Sequence, residues 1–560
     1  MDEIEPYEYQ PLDPEQKQIR LLELEPGGYD DPLLARLLSV SLDDMPVYNT
    51  ISYVWGDPSK TSELVICGTR LSVPVNTALA LRRMRLDDTV RVLWIDAVCI
   101  NQKDIHERGQ QVSIMGDIYR RSVGNLIHLT DDRIMGERAI KFASQIDKEA
   151  RAETNEWEEF HSMLYTKDGD FRASIRQKRQ DLDSEALWFI VRIPWFRWLH
   201  YTTQLDPPGL MELSGTRCLG ILATWADPVA GEYHFAYAER EHFGTLVTNA
   251  RAFERSEPRD GIFAVLGMLT EPTGIVTDYT KPIQAINQEA TRLMIQKTNH
   301  LAALDTINHE EDFGNGCSWA YRCERTYDPV VEPYHHTAVD RYPLWSLAPP
   351  TKLRRDSGDA ETIILEGYKI DDVLRTTPVC TADTFERHSS FGYWLYQAAI
   401  SLGKPFETEQ ETLAKLAKAI TENHGRAGDF ATVEDMDAVT AYLSALMRSQ
   451  GVLDPNTMDQ EYKHSLYALF EEAQSRCVFT FVRWRLLFRT TFGRIGLGPK
   501  VARSGDAVAV MRGGVWPYVL RSHGEEYQFV GTAYVQDIMR GQAVFIAQTM
   551  GWEEQEFVVR

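Results

Sequence analysis

The chain lacks the short motifs that mark the common phosphate and metal sites. Its 560 residues contain no glycine-rich loop ending in Gly-Lys-Ser/Thr, no H-E-x-x-H helix and no paired C-x-x-C. These absences exclude a P-loop nucleotidase and the usual zinc centres. A G-x-S-x-G nucleophile elbow is also missing, which argues against an α/β-hydrolase. We therefore predict no metal site and no bound cofactor.

Basic charge, cysteine and long apolar runs are scarce as well. The 82 acidic and 59 basic residues give a net charge of −23, which disfavours nucleic acid as a partner. The longest apolar run, Ala186–Phe196, is broken by Arg192, so we predict no membrane insertion. Seven scattered cysteines and an acidic, proline-bearing start without a secretory signal favour a cytoplasmic protein with reduced thiols.

Two strand–turn–helix units stand near the start of the chain. Tyr48–Val54 is β-prone and alternating, ends in a Trp-Gly-Asp-Pro turn, and is followed by a helical pattern over Val75–Leu86. Leu93–Cys99 is a nearly unbroken apolar run, typical of a buried parallel strand, with Asp96 as its one carboxylate. Helical spacing follows at once, opened by a D-x-x-E variant of the capping box at Asp104.

Polar and aromatic residues follow both predicted strands. Because the carboxyl ends of parallel strands meet at one sheet edge, where ligands bind in open α/β sheets, we expect these residues to share a cleft. An aromatic face, a carboxylate and amides suit a nucleotide-like ligand. The alternative is structural, with the tryptophan as a core lid, the aspartate as a turn former and the amides tying down the loop. The predicted ligand-binding residues are Trp55, Gly56, Asp57, Cys99, Asn101 and Gln102.

Changes of pattern along the chain predict its domain boundaries. The first 18 residues are predicted to be a tail, and 19–206 an α/β domain. Residues 207–360 are mainly helical by pattern, and 361–490 combine one strand with polar helices. From about residue 491 short strands and frequent glycine turns predict a small β barrel or sandwich, over 491–560.

At this level of detail the sequence resembles a known family. The segments YNTISYVWGD (Tyr48–Asp57) and LWIDAVCINQKDIHERGQQVSIMGDIYRRS (Leu93–Ser122) are similar to the heterokaryon-incompatibility (HET) domain of filamentous fungi. The family pattern is roughly ALSYxWGD, then WIDALCINQxDxxERxxQVxxMxxIY. Later segments also resemble the family's long proteins, namely Arg259–Met268, Asp278–Pro282, Phe492–Arg521 and Gly531–Ala543.

The resemblance carries expectations about fold and function. It implies a role in fungal non-self recognition, where the HET domain triggers programmed cell death. HET domains are distantly similar to Toll/interleukin-1 receptor (TIR) domains, which implies a flavodoxin-like, doubly wound α/β fold for residues 19–206. TIR domains self-associate, and several hydrolyse NAD⁺. The resemblance therefore implies self-association or another incompatibility protein as partner, with NAD⁺ as the substrate if the chain is an enzyme.

One family block departs from its pattern. The family reads approximately PWFxRxWxxQE, whereas this chain has PWFRWLHYTTQLD over Pro194–Asp206, which places Gln204 where the family has Glu. The corresponding carboxylate of TIR enzymes is catalytic, since cleaving the nicotinamide–ribose bond builds positive charge on the sugar. Gln204 and, two residues away, Asp206 are therefore the candidate catalytic residues. The change favours a signalling protein that binds partners over an NAD⁺ glycohydrolase, and both hypotheses stay open.

Overall fold

The computed structural model describes most of the chain outside one long central stretch. Described are residues 5–128 except Pro58, isolated positions within 132–141, 243–250, most of 255–309, 317–323, and 361–560 without 404–407, 426–429, 450–459 and 540. The chain divides into two compact units, Met1–Pro282 and Ile283–Arg560. Among the described helices, none combines the length and the apolar character needed to cross a bilayer.

The described part of the first unit contains seven strands and six helices. The strands are β1 (Gln18–Leu24), β2 (Leu34–Ser41), β3 (Asn49–Tyr53), β4 (Thr61–Ile66), β5 (Thr69–Pro74), β6 (Arg91–Trp94) and β7 (Gly124–His128). The helices are α1 (Val75–Met84), α2 (Asp96–Cys99), α3 (Ile105–Ser113), α4 (Met115–Arg121), α5 (Phe243–Ala250) and α6 (Asp260–Leu266).

One mixed sheet organises this unit, in the order β5-β4-β2-β1-β6-β3-β7. Strand β3 lies between β6 and β7 and is parallel to both, with Asn49 opposite Leu93. Strand β1 runs antiparallel to β6 and to β2. The prediction of an α/β unit is confirmed, with strand β3, helix α1 and a central strand that includes Leu93 and Trp94 of the predicted Leu93–Cys99. The antiparallel β1 makes the sheet mixed rather than uniformly parallel.

The predicted strand Leu93–Cys99 is wrong in its second half. Strand β6 ends at Trp94, and Asp96–Cys99 forms α2, a single buried helical turn. Amide N–H groups of Val98 and Cys99 donate to the Ile95 carbonyl, as a helical turn requires. A short apolar run cannot distinguish a buried strand from a buried turn of helix, because every residue in either faces the core.

Residues 5–17, within the segment predicted as a tail, lie against the sheet. The Tyr7 amide donates to the Arg70 carbonyl in β5, and the Tyr9 hydroxyl donates to the Val98 carbonyl in α2 at 2.9 Å. The Arg20 guanidinium lies over the Tyr9 ring, 4.9 Å from its centroid. The segment thus covers the outer edge of β5 as well as α2.

The described part of the second unit contains eight helices and eight strands. Its helices are α7 (Ile283–Thr298), α8 (Ala302–Asp305), α9 (Ala382–Glu386), α10 (His388–Leu402), α11 (Glu409–Ile420), α12 (Val433–Arg448), α13 (Gln460–Arg476) and α14 (Gln542–Thr549). Its strands are β8 (Ile363–Thr376), β9 (Arg485–Thr490), β10 (Ile495–Pro499), β11 (Ala507–Met511), β12 (Tyr518–His523), β13 (Glu526–Thr532), β14 (Tyr534–Val535) and β15 (Gln555–Val559).

The long strand β8 holds the second sheet together. Five strands pair in a closed ring, β8-β11-β12-β13-β15, and β9, β10 and β14 continue the sheet from the C-terminal part of β8, Val373–Thr376. The closest approach is at Gly367, where a Cβ atom would lie 2.0 Å from the Val510 carbonyl oxygen. The β module therefore includes residues from 363 onward, well upstream of the predicted boundary at 490/491.

Candidate functional site

The loops that follow β3 and β6 meet at Asp96. The Trp55 indole Nε1 donates a hydrogen bond to Asp96 Oδ2 at 2.8 Å, and the Gln102 side chain donates to the Asp96 carbonyl oxygen at 2.9 Å. Trp55 and Gln102 are each partly buried. Trp55 and Gln102, two of the residues predicted to share the sheet edge, therefore both contact Asp96. Asp96 is the one acidic residue of the apolar run.

The Asp96 carboxylate is enclosed by hydrogen-bond donors. Besides Trp55, the Ala97 amide donates to Oδ1 at 2.7 Å, and the nearby Tyr53 hydroxyl also favours the charged form. Burial raises the pKa of the Asp96 carboxyl group, and these donors act in the opposite direction because they stabilise the charged form. The Tyr53 hydroxyl also contacts Thr77 Oγ1 of α1 at 2.8 Å, so the cluster reaches across β3.

Asp57 has the turn-forming role that the sequence left as the alternative. Its Oδ1 accepts hydrogen bonds from the Ser59 amide at 2.9 Å and from the Ser59 hydroxyl at 2.7 Å. These bonds lower the pKa of the Asp57 carboxyl group. The side chain is exposed and belongs to its own local turn.

Gly56 is required by the shape of the same turn. Its φ is +74°, a left-handed conformation that favours glycine. A Cβ atom there would lie 2.5 Å from the Asn76 Nδ2 atom, which itself donates to the Val54 carbonyl at 2.9 Å. Asn76 therefore hydrogen-bonds to Val54 on one side of Trp55 and packs closely against Gly56 on the other.

Cys99 and Asn101 have structural roles in the loop between β6 and α3. Cys99 is fully buried, and burial raises the pKa of its thiol to about 12, so no reactive thiolate forms near neutral pH. The Asn101 amide donates to Glu107 Oε1 at 2.7 Å, and its side-chain oxygen accepts from the Lys103 amide at 3.3 Å. Both contacts fix the backbone between β6 and α3.

A buried ion pair between Arg20 and Glu107, which was not predicted from the sequence, fixes the loop between β6 and α3 and acts as a clamp under the site. Arg20 binds both carboxylate oxygens of Glu107, at 2.6 and 2.8 Å, and also donates to the Cys99 carbonyl. Asp104 caps α3 as predicted, accepting from the His106 and Glu107 amides, whereas the Glu107 side chain turns to Arg20 instead of completing a capping box. The sequence feature that could have indicated this ion pair is Arg20, a charged residue within the otherwise apolar pattern of β1.

The family-like segments after residue 255 pack on α3. The Arg108 guanidinium lies 4.0 Å from the Tyr279 ring centroid, and the Tyr279 hydroxyl donates to Asp260 Oδ1 at 2.6 Å. At Gly109 a Cβ atom would lie 2.6 Å from the Thr277 carbonyl oxygen, so this contact requires glycine. The segments Arg259–Met268 and Asp278–Pro282 therefore belong to the first unit, beyond the predicted boundary at residue 206.

Gln204 and Asp206 lie outside the described residues. Across the part of the chain that the structure does describe, no group of three or more His, Cys, Asp or Glu side chains is arranged to hold a metal ion. The chemistry available at the described edge is therefore an oriented indole, a buried carboxylate and the phenol of Tyr53.

Comparison with known proteins identifies the family. Residues 48–197 match the family model of the heterokaryon incompatibility protein (HET), which spans β3 to β7 and the complete edge just described. This chain is a HET-domain protein. Residues 429–557 match the Het-6 beta-barrel domain, which in this protein contributes β9 to β14 and most of β15. The HET match ends at residue 197, before Gln204.

A curated relative supports the same family. Heterokaryon incompatibility protein 6, OR allele, of Neurospora crassa is 36% identical to this HET-domain protein over 115 residues. The matching region covers 18% of this chain and 17% of the relative, so the chain spans about a sixth of the relative's length. No solved structure matches.

Proposed function

We propose that this HET-domain protein acts in fungal heterokaryon incompatibility, and that it triggers cell death by associating with itself or with another incompatibility protein in the cytoplasm. The observation that supports the proposal is the presence of a HET domain and a Het-6 barrel domain in one chain. The relative whose name refers to heterokaryon incompatibility agrees with it. The net charge of −23 agrees with a protein partner rather than nucleic acid.

The test is controlled expression in a filamentous fungus together with a measurement of association. We expect induction of the full chain to reduce hyphal viability, and the purified chain to form dimers or larger species in light scattering. A variant with Glu107→Ala, which breaks the clamp under the site, should lose the killing effect. A harmless chain that stays monomeric and captures no partner from an incompatible strain would contradict the proposal.

NAD⁺ hydrolysis is the second candidate, and the topology around β3 favours it. The chain leaves β3 through the β4–β5 hairpin and α1 to reach β6, and leaves β6 through α3 and α4 to reach β7, so these two connections run in opposite directions across the sheet. If both connections are right-handed, as crossovers between parallel strands are, α1 and α3 lie on opposite faces, as in a doubly wound, TIR-like fold. The β3–β6 gap is then the topological switch point, where such folds bind nucleotides. Trp55 and Asp96 stand there.

In this candidate Gln204, or Asp206, occupies the charge-stabilising position. A glutamine has the shape of the family's glutamate without its charge. At about 4 Å and an effective dielectric constant near 20, that charge contributes roughly 4 kcal/mol. Its absence slows the step about a thousandfold. The natural chain is therefore a weak NAD⁺ hydrolase at most.

The test of this candidate is NAD⁺ turnover by the purified full chain. Gln204→Glu should raise turnover by as much as about a thousandfold, because it restores the charge at the reacting centre. Gln204→Ala is the matched control and should stay at the low natural level. Robust turnover by the natural chain that survives Gln204→Ala would place the reacting centre elsewhere.

A further inference from the structure

We propose that Asp96 is a positioning residue, which holds the Trp55 ring as a preformed stacking surface for the planar heteroaromatic ring of a nucleotide-class ligand. The proposal rests on the nucleotide chemistry of the second candidate function. It goes beyond that function by assigning the ligand contact to the Trp55 ring and by giving Asp96 a role through Trp55.

The first argument is the hydrogen bond to the indole. A tryptophan side chain has a single N–H donor, and here that donor is bound to Asp96 Oδ2 at 2.8 Å. Hydrogen bonds to an ionised acceptor are shorter and stronger than neutral ones, so this bond fixes the tilt of the ring. Trp55 nevertheless keeps part of its surface accessible.

The second argument is that the backbone carrying Trp55 is fixed as well. Asn76 donates to the Val54 carbonyl at 2.9 Å, and the left-handed Gly56 leaves no room for a side chain beside Asn76. Trp55 is therefore constrained through its backbone and through its indole. A ring that is already ordered loses little conformational entropy when a ligand stacks on it.

The third argument concerns what Asp96 can still contact. A carboxylate has about four acceptor positions, and each oxygen of Asp96 already accepts a hydrogen bond, Oδ2 from Trp55 and Oδ1 from Ala97. The Gln102 side chain, meanwhile, fixes the Asp96 backbone through its carbonyl oxygen. Asp96 is thus arranged to support a neighbour rather than to bind a ligand directly. Recognition at this point falls to the aromatic face.

The experiment is calorimetric titration of the purified full chain with NAD⁺, and with ribose 5-phosphate as the probe that lacks a ring. Trp55→Ala should weaken NAD⁺ binding roughly 10- to 100-fold, the range of one base–aromatic stack. Asp96→Ala should lose nearly as much. Asp96→Asn keeps one oxygen acceptor, which can serve the indole N–H or the Ala97 amide but not both, so it should lose less affinity than Asp96→Ala. Ribose 5-phosphate should bind far more weakly than NAD⁺.

Two further variants control the interpretation. Asp88→Asn alters an exposed carboxylate before β6, at the end of that strand opposite Asp96, and should bind NAD⁺ like the natural chain. Trp55→Phe keeps a ring but has no N–H, so it should give an intermediate loss even if Trp55→Ala fails to fold, which the melting temperature of each variant reveals. Unchanged binding by both Trp55 variants would overturn the proposal.

The remaining outcomes separate this proposal from the functions on which it rests. If Asp96→Ala weakens NAD⁺ binding further in a chain that already carries Trp55→Ala, Asp96 contacts the ligand itself and the positioning role is wrong. If the natural chain binds no NAD⁺, the stacking surface and the hydrolase hypothesis both fail. The expression experiment in a filamentous fungus tests the signalling function independently of NAD⁺ binding. Turnover that persists in Trp55→Ala with unchanged affinity would overturn the stacking surface alone.

Discussion

At the scale of single residues, the Arg20–Glu107 ion pair joins β1 to α3 in the HET unit, the compact unit Met1–Pro282 that contains the HET match. Both side chains are almost fully buried, and each oxygen of Glu107 is bound by Arg20. Glu107 also receives the Asn101 amide, and Arg20 donates to the Cys99 carbonyl. A buried charge that loses its partner cannot be resolvated, so removal of either member costs much more than an exposed pair contributes.

Glu107→Ala should lower the stability of the HET unit by about 3–5 kcal/mol, because Arg20 is then buried without its counter-charge. The measurement is chemical denaturation, with hydrogen exchange of the β1 amides reporting on this unit. Arg120→Ala is the matched control, since the Arg120–Asp117 pair at 2.6 Å is exposed. It should change stability by less than about 1 kcal/mol. Equal effects of the two substitutions would show that the clamp contributes no more than a surface pair.

At the scale of elements, helices α10 and α13 meet through a histidine in an aromatic cluster. The His388 ring stacks on Tyr467 with centroids 4.3 Å apart, and Phe470 contacts it edge-on at 4.3 Å. Among the described residues its Nε2 atom has no hydrogen-bond partner. Burial lowers the pKa of His388 below its usual 6.5, because the imidazolium would lose water without gaining an acceptor.

The second unit should therefore lose stability as the pH falls. The folded pKa of His388 lies below the unfolded value of 6.5, so the unfolded state takes up the proton first. The contribution is complete above pH 6.5 and decreases as the pH falls toward the folded pKa. The melting temperature of the second unit between about pH 7.5 and 5 measures this.

His388→Phe keeps an aromatic ring and removes the titration, so it should reduce the pH dependence of that melting temperature. His464→Gln, on the exposed side of α13, is the control and should leave the dependence unchanged. An identical pH profile for His388→Phe and the natural chain would contradict the role of this histidine.

At the scale of the whole molecule, the second unit depends on residues distant in sequence. The ring of strands closes only with β8, which pairs with both β11 and β15. Helix α8 and the segment before it also contact the ring: the Tyr518 hydroxyl donates to Asp305 Oδ1 at 3.2 Å, and the Leu301 amide donates to the Gly513 carbonyl at 2.7 Å. The unit therefore begins near Ile283 rather than at the first C-terminal turn.

A fragment of residues 283–560 should consequently fold and melt cooperatively, whereas 491–560 should not. The short fragment lacks β8 and β9, so β11 and β15 expose unpaired edges and the apolar face of the ring. Circular dichroism with thermal melting measures both fragments. Residues 361–560 restore the ring without α7 and α8, and should melt at a lower temperature than 283–560. Cooperative melting of 491–560 would show that its strands close a different ring.

The hydrophobic pattern of the sequence was sufficient to predict elements in which buried and exposed residues alternate regularly. The strand β3 and the helix α1 were predicted because side-chain period distinguishes a half-buried strand from an amphipathic helix. The rule that parallel strands end at one sheet edge placed Trp55 and Gln102 close together. Their shared contact with Asp96 agrees with this placement. The HET family was identified from contiguous motifs and is confirmed.

Only the tertiary structure decided which polar group belongs to which neighbour. Uniform burial removed the periodic signal from Asp96–Cys99, so its helical turn was not predicted. The Asp57 side chain accepts from Ser59 in its own turn, and Asp96 accepts from the Trp55 indole as well as from the Ala97 amide. Hydrogen bonds and ion pairs such as Arg20–Glu107 join residues 87 positions apart. Sequence pattern records the burial of each residue, whereas partner choice depends on distances that exist only after the sheet has formed.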